Sequence, residues 1–97
     1  MTSPIIVGIL PITIAPINTN RSTIRFQNVG ASVINIKKVP ITGVFTDVSL
    51  VDFEIQLFPS ATVVESGEAF ETDSVASFRV ISNIPGGILA IYETNKY

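Results

Sequence analysis

The sequence predicts an all-β fold: a single small antiparallel β-sandwich, jelly-roll or immunoglobulin-like, with an extended N-terminal arm or edge strand. Three observations carry that reading. Isoleucine, valine, threonine and phenylalanine dominate the chain. Hydrophobic alternation has period two wherever it is clear, and a helical pattern is nearly absent. Turn residues recur about every eight to twelve positions, the rhythm of a sandwich or small barrel. A chain of 97 residues has room for one hydrophobic core, so the expected organisation is an arm or edge strand over residues 1–19 and a sandwich over 20–97.

Residues 5–10 and 12–15 are β-prone, but Pro4, Pro11 and Pro16 interrupt pairing and confine the segment to an edge or an arm. From Pro4 to Pro16 no residue is charged and Thr13 carries the only hydroxyl. No positive charge precedes the stretch other than the amino terminus, so a secretory signal is not expected. It is also shorter than the roughly twenty apolar residues of a membrane helix. The segment is therefore expected to belong to the mature, soluble protein. Its apolar residues point to both sides, and a lone sandwich covers only one. Ile5, Ile6, Val7, Ile9, Leu10, Ile12 and Ile14 are accordingly the candidate contacts with a neighbouring subunit or partner. Read as an arm, residues 2–16 are expected to be dispensable for folding and needed for assembly.

Residues 23–27 alternate, with Ile24 and Phe26 inward and Thr23, Arg25 and Gln27 outward. Asn28-Val29-Gly30-Ala31 supplies turn residues, with Gly30 free to take a positive φ, and residues 33–37 form a second strand; the two read as a hairpin. Pro40 and Gly43 break the chain, leaving 44–51 as a short strand or an irregular connection. Residues 52–57 alternate cleanly, with Phe53, Ile55 and Leu57 inward, and Pro59 ends that strand. A short strand over 61–65, a turn at Ser66-Gly67-Glu68, and strands at 69–72, 78–82 and 88–93 complete the set. Asn83-Ile84-Pro85-Gly86-Gly87 is a strong turn. Phe26, Phe53, Phe58, Phe70, Phe78 and Tyr92 fall one per strand and are expected in the core, with Phe45 and Tyr97 exposed.

Composition removes most chemistry. There is no cysteine and no histidine, hence no disulfide, no thiolate or imidazole metal site, and no conventional base for a serine nucleophile. Any two of Asp47, Asp52, Glu54 and Glu93 could meet as the pair of a two-carboxylate hydrolase, but a thin sandwich has little depth to desolvate one of them. The chain is expected not to be an enzyme and to need no cofactor. Glu65, Glu68, Glu71 and Asp73 form a locally acidic stretch with oxygen ligands that suit a calcium ion, but their spacing does not match the helix-loop-helix calcium loop, and solvated carboxylates are the favoured reading. Gly86-Gly87 lacks the lysine and hydroxyl of a phosphate loop. Six basic residues and a net charge of −2 argue against nucleic acid. With 46% hydrophobic and 14% charged residues and a mean hydropathy of +0.51, assembly is the expected way to bury the surplus apolar surface.

Residues 20–30, which open on Asn20-Arg21 and end on Asn28-Val29-Gly30, are followed by Val33-Ile34-Asn35-Ile36, Ser66-Gly67-Glu68 and Phe78-Arg79-Val80-Ile81-Ser82-Asn83. In this order they resemble the small virion structural proteins of tailed bacteriophages, over about residues 20–93. The resemblance implies a structural role on the virion: a capsid decoration or cement protein, or a head-fibre base, tail or adaptor accessory. It also implies partners, namely further copies in a homo-oligomer, with a trimer expected, and the major capsid protein or other virion proteins. Nucleic acid and membrane are not among them. The implied location is the capsid surface after assembly in the host cytoplasm. Residues 38–51 depart from the Gly-rich connection of such proteins, and the N-terminal segment has no fixed counterpart. A carbohydrate- or receptor-binding module using the loops around Phe45 and Asn83 is the competing expectation.

Overall fold

The structure is a computed structural model that describes residues 4–40, 43–59 and 67–96. Its strands are β1 (Ile5–Val7), β2 (Ile12–Ala15), β3 (Arg21–Asn28), β4 (Ile34–Val39), β5 (Ile55–Leu57), β6 (Ala69–Thr72), β7 (Ser77–Ser82) and β8 (Gly87–Asn95). They form two four-stranded antiparallel sheets packed against each other, in the orders β1-β8-β3-β6 and β2-β7-β4-β5. The pairs β1 with β8, β2 with β7, β3 with β6 and β4 with β5 are those of one long hairpin rolled onto itself. Of the two sandwich topologies the sequence left open, this strand order is the jelly roll.

The topology overturns one local expectation. Strands β3 and β4 do not pair; they lie in different sheets, and residues 29–33 carry the chain across the sandwich. Buried Asn28 is the reason. Its Nδ2 donates to the Ser32 carbonyl at 2.6 Å and to the Leu57 carbonyl at 3.0 Å, while its Oδ1 accepts from the Gly30 amide at 3.1 Å. These bonds close the corner on itself and tie it to β5, in place of a two-strand ladder. Gly30 does not take a positive φ. A Cβ there would lie 2.9 Å from the Ile88 backbone nitrogen, so the glycine serves close approach. In the β7–β8 turn, Gly86 does adopt the left-handed region, at φ 84°.

The core lies between the sheets and follows the alternation of the central strands. Ile24 and Phe26 of β3 meet Ile34 and Ile36 of β4 and Phe78 and Val80 of β7, all buried. Phe26 and Phe78 join the layers edge to face, centroids 4.9 Å apart at 66°. The other aromatics differ from expectation: Phe53, Phe58 and Phe70 are exposed, and Tyr92 stands half-buried beneath Arg25, whose guanidinium carbon lies 5.3 Å from its ring centroid. Phe45 is half-buried, and Tyr97 and the expected strand over 61–65 lie outside the described residues.

The 52–57 strand is shorter than its alternation predicts. Ser49 Oγ accepts from the Val51 and Asp52 amides, and the Ser49 amide donates to the Asp52 carbonyl at 2.9 Å. That tight turn delays the ladder until Ile55 and leaves Phe53 exposed at 37%.

Strands β1 and β2 are the neighbouring edges of the two sheets, and the link between them, residues 8–11, crosses the side of the sandwich. The N-terminal segment is thus built into both sheets. Val7 and Ala15 belong to the core cluster, with Ile5 and Ile14 packed against it. Removing residues 2–16 would open the core, in contrast to the dispensable arm.

Candidate functional site

The β1–β2 segment divides into two sets of side chains. Val7 is completely enclosed, and Ile5 and Ile14 are half-buried against the core. Val7 is therefore not available as a contact residue in the folded chain. Ile6, at 66% exposure, Leu10, at 73%, and Ile9 face outward, whereas Ile12, opposite the core residue Val80, is exposed only because it lies on an edge strand. Pairing explains the split. Ile5 stands opposite Leu89, which points between the sheets, and Val7 is buried in the core opposite Gly87, so Ile6 must point to the outer face, opposite Ile88. Pro11 and Gly8 then break the ladder where Ile9 and Leu10 cross the edge.

The same end of the sandwich gathers more uncharged surface. The Ser82 amide donates to the Gly8 carbonyl at 2.9 Å, the Val29 amide to the Ile88 carbonyl at 3.0 Å, and the Val33 amide to Asn83 Oδ1 at 2.9 Å. These bonds bring links 8–11, 29–33 and 83–86 together. None of the three contains a charged residue, and exposed Val29 and Ile84 join Ile9 and Leu10 there.

Charge concentrates elsewhere, on the outer face of the β2-β7-β4-β5 sheet. The connection between β4 and β5 folds back over this face. Arg79 on β7 grips Asp47 in a two-toothed pair, Nε to Oδ1 at 3.0 Å and Nη2 to Oδ2 at 2.8 Å, and also donates to Thr13 Oγ1 at 3.1 Å. Lys37 Nζ donates to Asp52 Oδ1 at 2.9 Å and lies 5.5 Å from the Phe45 ring centroid. Asn35 is buried although it points outward, because Gln56 donates to its Oδ1 and its Nδ2 donates to the Ser49 carbonyl. The Arg79 guanidinium holds the Asp47 carboxyl below the usual carboxylate range, and Asp47 in turn raises the pKa of Arg79.

Arg21 is a residue whose role the sequence did not disclose. Its side chain is fully buried, and every guanidinium nitrogen has an acceptor: Nε donates to Glu93 Oε1, Nη1 to the Ser74 and Ala76 carbonyls and Nη2 to the Pro16 carbonyl, with Nη2 also in an ion pair with Glu93 Oε1. It clamps the β2–β3 link, the β6–β7 link and β8. Alternation places Arg21 outward with Thr23 and Arg25, but a register shift against β8 between Arg21 and Thr23 breaks the parity.

The remaining candidates resolve as follows. Asp47, Asp52 and Glu93 are each engaged by a cation, and Glu54 Oε1 accepts from the Lys38 amide at 2.7 Å. A general acid needs a raised pKa, and the Asp47 shift is downward. In the acidic stretch, Glu68 Oε2 accepts from the Phe58 amide at 2.9 Å and Glu71 stands across from Arg25; Glu65 lies outside the described residues. Among the described residues, no group of three or more acidic side chains is placed to hold a metal. Phe45 and Asn83 do not meet: Asn83 bonds the backbone ahead of β4, while Phe45 follows that strand's far end.

Two clefts open between the sheets on opposite sides. One, of about 450 Å³, lies at the β1–β2 side against Ile5, Ile14, Ile91 and Glu93. The other, of about 250 Å³, lies at the β5–β6 side against Ile55, Phe70, Phe78 and Lys38. No protein family, curated protein or solved structure matches this chain.

Proposed function

We propose that this protein is a structural component of a tailed-bacteriophage virion, a capsid decoration or cement protein that binds the head as an oligomer and performs no catalysis. The observation that carries this reading is the uncharged β1–β2 segment, whose Ile6, Ile9, Leu10 and Ile12 stay exposed on the folded chain. Exposed aliphatic side chains gathered on one uncharged segment favour an interaction site, and burying them stabilises by about 25 cal/mol per Å². The jelly roll is compatible with this role, being common among viral structural domains, although a fold alone does not assign a function. A head-fibre, tail or adaptor accessory would use the same surface.

The test is assembly. The full chain is expected to exceed monomer mass in sedimentation and to bind empty capsids, and Leu10→Asp should reduce both while leaving the melting curve in place. A monomer that ignores capsids would remove the reading. A saturable hit on a glycan array, lost in Phe45→Ala, would favour the carbohydrate-binding alternative.

A further inference from the structure

We propose that copies of this chain associate head to tail, the β5–β6 side of one copy docking into the β1–β2 cleft of the next. The proposal rests on the self-association reading above and gives it a direction.

The two clefts are on opposite edges of one sandwich, since β1 and β6 bound one sheet and β2 and β5 the other. They also share a level. Ile5, Ala15 and Asn95 line or rim the first, and Lys38, Ile55, Thr72 and Phe78 line the second. Ala15 of the first and Lys38 of the second both stand opposite Phe78, and Asn95 and Thr72 lie toward the end where β3 begins, while Ile5 and Ile55 bound the two clefts nearer the other end. Rotating a copy about an axis along the strands therefore brings one cleft against the other.

Their chemistry is unlike and complementary. The β1–β2 cleft is aliphatic and holds Glu93, whose Oε1 is taken by Arg21 while Oε2 has no partner among the described residues. The β5–β6 side presents exposed Phe70, Glu54, whose Oε1 is taken by the Lys38 amide, and the exposed side chain of Lys38, which forms no ion pair among the described residues. An aromatic edge meets an aliphatic cleft, and an ammonium meets a carboxylate oxygen. A like-to-like contact would instead set Glu93 toward Glu93 or Lys38 toward Lys38. Strand direction agrees. Four antiparallel strands leave the two edges of each sheet running oppositely, so a head-to-tail neighbour continues the alternation in both sheets at once. Such a contact closes a ring where its rotation permits and otherwise runs on as a filament.

The absence of native cysteine gives a clean experiment. Asn95→Cys places one thiol at the mouth of the first cleft and Thr72→Cys places one at the second. With a short bis-maleimide cross-linker, mixing the two full-length variants should yield a covalent heterodimer several-fold above the homodimer from either alone. Lys38→Glu should weaken wild-type association at least tenfold with an unchanged circular dichroism spectrum. If the wild type sediments as a monomer at every concentration, self-association itself fails. If it assembles but Asn95→Cys cross-links chiefly to itself, or Lys38→Glu associates as tightly as the wild type, the head-to-tail arrangement is wrong.

Discussion

The β4–β5 connection and the β1–β2 segment both run along the outside of the sandwich, yet they meet solvent in opposite ways. The first carries Asp47 and Asp52, which find Arg79 and Lys37 on the sheet beneath, and it buries Val48. The second carries no charge and leaves Ile6, Ile9 and Leu10 uncovered. A segment with polar partners on its own chain can lie down and satisfy itself. One made of aliphatic side chains alternating across a sheet edge can bury only half of them, and the other half remains exposed. Arg79 joins the two regions, since it bonds Asp47 on one and Thr13 on the other.

The largest expected effect separates a buried ion pair from the exposed ones of the connection. Arg21→Leu leaves Glu93 and three backbone carbonyls without their donor and should cost about 3–5 kcal/mol, read as a lowered urea midpoint. The exposed pair is worth far less: Arg79→Ala should cost at most about 1 kcal/mol, and a loss near that of Arg21→Leu would show that the connection is part of the core.

Within the β1–β2 segment the contrast is between neighbours. Val7→Ala should lower stability by about 2 kcal/mol, whereas Ile6→Ala should change it by less than about 0.5 kcal/mol. Equal losses would mean that Ile6 is covered by its own chain. The smallest effect concerns acid. Because the folded pKa of Asp47 is depressed, its contribution is complete above the unfolded carboxylate value of about 3.9 and is lost as pH falls through the folded value. The protection factor of the Val48 amide, measured against its intrinsic exchange rate, should fall below about pH 4 while that of Val80 in β7 does not, and Asp47→Asn should remove that fall.

Period-two alternation was enough to read β3, β4, β7 and β8, because both neighbours of each central strand are protein and one face is dry. It failed where a single local bond outweighs the pattern. The Ser49 turn shortens β5 and exposes Phe53, and the shift beside Thr23 turns Arg21 inward. The apolar residues of the β1–β2 segment were visible as a composition, but which of them remain outside depended on the pairing of β1 with β8.

The sequence by itself determined the all-β class, the strand positions along most of the chain, and the lack of histidine and cysteine chemistry. It did so because side-chain type and period are local properties. Only the tertiary structure decided the jelly-roll order, the crossing at Asn28, the burial of Val7 against the exposure of Leu10, and the closure of the Arg21 clamp. Each of these depends on which residues distant in sequence meet, and a period-two pattern serves any antiparallel partner equally well.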